Sequence, residues 1–200
     1  MWQSYTRFIS PIAKPWDSSS SGLTRGSTPK PITHHAVITW RQANPPYISP
    51  MSKPVTYTIF IAAVLGIGLA IGYIFLPGAW YQPLAKPPFN PPNWLFGPAW
   101  TILYLLIGIA GARTWLAGPA TPGMKLWFGQ MVLNYLWSPF FFGLQQPPIA
   151  LVIIAALLVT ILLFIANRWN RDRTAALLFV PYAAWVAFAT LLNASIAYLN

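Results

Sequence analysis

The sequence predicts an all-α membrane protein, a bundle of five transmembrane helices, and three observations carry that expectation. Of 200 residues, 56% are hydrophobic, 16% aromatic and only 7% charged, with a mean hydropathy of +0.52; an ordinary soluble domain has about 25% charged residues. Beyond position 53 come five apolar runs of about 20 residues, the length needed to cross the hydrocarbon of a bilayer. The net charge of +10, from 12 Lys and Arg against two acids, is distributed unevenly. Such a balance is also seen in nucleic-acid binders. Here, however, Arg7, Lys14, Arg25, Lys30, Arg41 and Lys53 precede the first apolar run, and the others lie mostly at helix ends, where headgroups meet them. The expected partner is therefore the lipid bilayer and not nucleic acid. Cysteine is absent, which excludes disulfides, thiolate nucleophiles and iron–sulfur clusters.

Taken in chain order, residues 1–53 form a basic extension rich in Ser and Pro with one acid, Asp17. No helical or strand periodicity runs through it, and it reads as disordered. Two origins fit: an organelle presequence, or an upstream extension ahead of a start at Met51, which is the reading adopted. His34 and His35 lie in this segment without neighbouring ligands and are not read as a metal site. Residues 54–200 form the membrane domain, with spans expected at about 55–75, 94–116, 126–144, 149–166 and 174–199. Runs of this length in lipid satisfy their backbone hydrogen bonds only as helices. Pro139 and Pro181 fall inside the third and fifth spans and should bend them. Five spans place Lys53, Arg113, Lys125, Arg168, Arg171 and Arg173 on the side of the N-terminal extension and leave Lys86 alone on the other. The positive-inside tendency then puts the extension on the cytoplasmic side of a cell membrane.

Helical spacing assigns the inner faces. The first span pairs Ala62 with Gly66 and Gly68 with Gly72, small residues expected to let a neighbouring backbone approach. The second carries Trp100, Tyr104, Gly108 and Gly111 on one stripe. The third has Gln130, Asn134 and Ser138 with Trp137 beside them, and the fifth has Pro181, Trp185, Ala189 and Asn193. The fourth is almost wholly Leu, Ile, Val and Ala, with Thr160, and is expected to face lipid or a partner subunit. No span carries an acid, base or histidine near its middle, as an ion pathway or proton relay would.

Between the first two spans runs PGAWYQPLAKPPFNPPNWLFGPAW, positions 77–100, with seven prolines, three tryptophans and one charge. A loop stiffened by Pro87, Pro88, Pro91 and Pro92 loses little entropy on being ordered, so it suits a preformed lid over a cavity. Trp80, Tyr81, Phe89 and Trp94 would add π-faces, and the amides of the third span would orient a flat apolar ligand. Three or four aromatic contacts at about 0.5–1.5 kcal/mol each, with two hydrogen bonds, approach the roughly −8 kcal/mol of micromolar binding.

Three segments in order, WYQPLAKPPFNPPNWLFGPAWTILY (80–104), LNYLWSPFFFG (133–143) and VPYAAWVAFATLLN (180–193), resemble the TspO/MBR family, known as translocator, tryptophan-rich sensory or peripheral benzodiazepine receptor proteins. The resemblance covers about 55–200. It implies a five-helix bundle, usually a homodimer, that binds porphyrins such as protoporphyrin IX or haem, sterols or isoquinoline carboxamides beneath the first loop, with no covalently bound cofactor. It assigns ligand-binding positions to Trp80, Tyr81, Pro91, Trp100, Tyr104, Asn134, Trp137, Ser138, Trp185 and Ala189. It also implies light-dependent porphyrin breakdown in some members, which would fall to Trp100 and Trp185, and a multi-pass location in the bacterial cell membrane or the mitochondrial outer membrane. The sterol motif of animal members needs a basic residue after a tyrosine late in the fifth span, whereas Tyr198 is followed by Leu199 and Asn200. With no His or Cys in the spans, a tetrapyrrole would be held by its ring face and not by an axial ligand. The function expected is sensing, scavenging or regulation of tetrapyrroles, with small-molecule transport or photo-oxidative degradation as alternatives. Hydrolytic or metal-dependent catalysis is not expected, because no paired carboxylates or Ser-His-acid set exists.

Overall fold

The structure, a computed structural model, describes residues 51–200. The expectations for residues 1–50, namely disorder, a presequence or upstream origin, and a histidine pair without metal, lie outside the described residues. Five helices follow: α1 (Lys53–Ile74), α2 (Phe96–Ala117), α3 (Pro122–Ser138), α4 (Pro147–Trp169) and α5 (Arg173–Leu199). α1, α4, α5 and α2 with its preceding turn are long and apolar enough to cross a membrane. α3 has 17 residues and continues into a five-residue π-helical turn, Pro139–Gly143, which together cover the predicted third span. The protein is thus an integral membrane helical bundle.

Local chemistry fixes the helix ends. Thr121 caps α3 by accepting from the Met124 N–H, with Pro122 following as the first helical residue, where its missing donor costs nothing. Asp172 caps α5 by accepting from the Ala175 N–H. Gly118 ends α2 at φ 147°, backbone that a side chain would strain. Pro139 cannot donate to the ladder of α3, and the chain widens there into the π turn, a common answer to an interrupted ladder.

Packing corrects two expectations. α4 does not simply face lipid: Ala150, Ile154, Leu157, Ile161, Phe164 and Arg168 form a buried face against α3 and α5. Since lipid tails are as apolar as leucine, an all-aliphatic helix looks the same whether it packs on neighbours or on lipid. Of the glycines in α1, Gly66 and Gly72 have open space where a Cβ would be, and only Gly68 presses on a neighbour, the Tyr104 ring. The backbones of α1 and α2 come close at Gly108, where an added Cβ would lie 2.9 Å from Ile61 Cα.

Candidate functional site

The proline-rich loop folds as a cover held at several points. Tyr81 is buried with its ring against Phe141 and Phe142, at 6.2 and 5.5 Å, and burial pushes its phenol above its ordinary pKa, so the hydroxyl stays neutral. Lys86 turns back on the loop: its ammonium donates to the Gln82 and Leu84 carbonyls and lies 4.6 Å from the Tyr81 ring centre. Farther along, Phe89 meets Phe188 of α5 at 6.3 Å. Asn200, the residue closing α5, grips the loop from 115 positions away. Its side-chain carbonyl accepts from the Ala85 N–H at 2.9 Å and its amide donates to the Ala85 carbonyl at 3.1 Å.

Beneath this cover lies a cavity of about 690 Å³, within the range for small-molecule sites. Eight of the ten positions expected to bind ligand line it: Tyr81, Trp100, Tyr104, Asn134, Trp137, Ser138, Trp185 and Ala189. Trp80 and Pro91 do not. Trp80 packs edge-on to Phe141 behind the cavity wall, and Pro91 borders a separate groove on the outer face of α2 and α5. Trp100 and Trp185 both reach the cavity but pack on different partners. Trp100 meets Tyr104 and Tyr182 at 5.3 and 6.4 Å, whereas Trp185 meets Phe96 and Phe188 at 5.9 Å. Trp185 also lines the outer groove, so one indole forms the partition between the two spaces.

Polar groups of the wall are tied to one another. The Tyr104 hydroxyl donates to Asn134 Oδ1 at 3.3 Å, Asn134 Nδ2 donates to the Tyr182 hydroxyl at 2.8 Å, and Tyr182 donates to Gln130 Oε1 at 3.0 Å. The Trp137 N–H donates to Asn193 Oδ1, and Asn193 donates to the Pro147 carbonyl. Much of the amide capacity expected to orient ligand therefore stitches the helices together. Left for a guest are the second Asn134 N–H, the lone pairs of the Tyr104 oxygen, the Ser138 hydroxyl and the Trp185 indole N–H, which is buried without a partner. The lining offers aromatic faces and neutral polar groups, and no acid or base other than tyrosine.

Sequence reasoning missed several wall residues. Gly68, Leu69 and Gly72 of α1, Phe75 beyond it, Phe141 and Phe142 of the π turn, and Ile154 and Leu157 of α4 also line the cavity. The FFF run at 140–142 was the available signal for the π-turn pair; the aliphatic positions carried none. Tyr182, the fully buried hub of the hydrogen-bond chain, lies one residue after Pro181 and off the Pro181–Trp185–Ala189–Asn193 stripe, so helical spacing carried no signal for it.

A sequence profile described as the TspO/MBR family matches residues 59–199. A tryptophan-rich protein TspO of Archaeoglobus fulgidus is 44% identical over 70% of this chain and 94% of its own. A tryptophan-rich sensory protein of Cereibacter sphaeroides is 35% identical over 72% and 90%, and a human translocator protein is 36% identical over 64% and 80%.

Proposed function

The chain belongs to the TspO/MBR family, and from that premise we propose that it binds flat, largely apolar molecules of the porphyrin class in the covered cavity and acts as a sensor or scavenger of them. The observation that carries this reading is a charge-free space of about 690 Å³ walled by Trp100, Trp137 and Trp185 and roofed by the proline-rich loop. An apolar ligand already dissolves in lipid, so burial alone gives little selectivity. Stacking on indoles, with a few fixed hydrogen bonds, supplies it. The Asn134 amide offers a donor to a carbonyl or carboxylate edge, while the rings take the face of the molecule.

Titration of the detergent-solubilised protein with protoporphyrin should quench tryptophan fluorescence saturably. A Trp100→Ala, Trp185→Ala double variant should bind at least about fivefold more weakly, the loss of two aromatic contacts of about 0.5–1.5 kcal/mol each. Undiminished binding by a folded double variant overturns the assignment. Flux of the same porphyrin across proteoliposomes separates binding from transport.

A further inference from the structure

At the end of the bundle opposite the cover, Arg168 closes α4 with only 3% of its surface exposed. A guanidinium carries five N–H donors, yet among the described residues it donates to Thr121 Oγ1 alone, at 3.3 Å from Nη2, and Nε is buried without a partner. The nearest carboxylate is already engaged: Asp172 takes Arg113 Nε and Nη2 at 2.9–3.3 Å and caps Ala175. The guanidinium lies against the first turn of α3, where a Cβ on Gly123 would stand 2.5 Å from Nε. It thus faces the positive end of a 17-residue helix, which by itself repels a cation. Lys125, one turn into that helix, and Arg171, directly after α4, are exposed and add the same sign.

Asp172 lends the guanidinium its field but no hydrogen bond, and a covered cation with an unpartnered donor beside a helix N-terminus stays costly unless a further anion answers it. We propose that Arg168, the first turn of α3, Lys125 and Arg171 form a binding site for a phosphate-type anion at the membrane surface, of the kind an anionic lipid headgroup presents. The phosphate would take guanidinium donors that Thr121 leaves free and lie in the field of the α3 N-terminus, whose first-turn donors Thr121 already caps, so the guanidinium and the neighbouring cations supply the hydrogen bonds. Gly123 leaves the guanidinium room to lie flat at that edge. The site is at the far end of the molecule from the cavity and is independent of what the cavity binds.

The test is thermal unfolding of the detergent-solubilised full chain at constant ionic strength, titrated with short-chain phosphatidylglycerol, short-chain phosphatidylcholine or inorganic phosphate. A saturable rise in Tm with phosphatidylglycerol and not phosphatidylcholine supports the lipid source; an equal rise with inorganic phosphate supports the same site filled by the free ion. Arg168→Gln should abolish the rise. Should that buried variant fail to fold, Lys125→Gln with Arg171→Gln, both at exposed positions, should weaken apparent affinity by about fivefold per charge removed, while Lys53→Gln leaves it unchanged. No anion-dependent rise, or a rise that survives in Arg168→Gln or falls equally in Lys53→Gln, overturns the proposal.

Discussion

Tyr182 has a single hydroxyl, and that group joins α5 to two amides of α3. Replacing it with phenylalanine keeps the ring among Phe179 and Trp100 but strands the Asn134 N–H and the Gln130 carbonyl inside the bundle. The expected cost is about 1–3 kcal/mol, because a buried partner left unpaired loses its full desolvation energy. A lower Tm together with several-fold weaker porphyrin binding is expected, since Asn134 is then free to turn its amide over; an unchanged affinity would show that its orientation does not matter to the ligand. The sequence made the indoles of the wall legible because Trp100 and Trp185 fall on stripes with small residues. It could not reveal Tyr182 as the hub, because pairing across helices depends on rotation about three axes that periodicity leaves free.

At the scale of the element, helix boundaries were read to within a few residues, since hydrocarbon thickness sets their length. Rotation was read less well. Gly66 and Gly68 look alike in sequence, yet only Gly68 meets a neighbour, and the aliphatic α4 hid a face that reaches the cavity at Ile154 and Leu157. The crossing of α1 and α2 turns on Gly108, so Gly108→Val should separate them and destabilise the fold by about 1–3 kcal/mol, as overpacking does, measured as a fall in Tm; the same change at Gly66 should be silent. The cover is a separate element with its own fastening. Asn200→Ala removes both hydrogen bonds to Ala85, each worth about 0.5–1.5 kcal/mol. Bound porphyrin should then dissociate several-fold faster, as stopped-flow displacement would read. The proline content made a lid legible, whereas its fastening, made across 115 positions, was not.

Across the whole molecule, the ends of the bundle differ in character. On one, the ion pair of Arg113 with Asp172 at 2.9 Å joins the close of α2 to the start of α5. Burial pushes the Asp172 carboxyl up, but the hydrogen bonds from Arg113 and the Ala175 N–H outweigh it and hold the group below its ordinary pKa. Its stabilisation is therefore fully present above about pH 4, where the unfolded carboxylate is also ionised, and is lost as pH falls through the lowered folded value. Tm should drop on acidification below pH 4 more steeply in the parent than in Asp172→Asn, and parallel curves would remove the pair from the account. On the other end, Lys86 is the one cationic side chain among the described residues of the cover, and its ammonium is taken up by the Gln82 and Leu84 carbonyls and the Tyr81 ring. An arriving guest meets no long-range field there, so the bimolecular capture rate should stay flat from dilute buffer to molar salt, unlike that of proteins that steer their ligands through an unscreened potential.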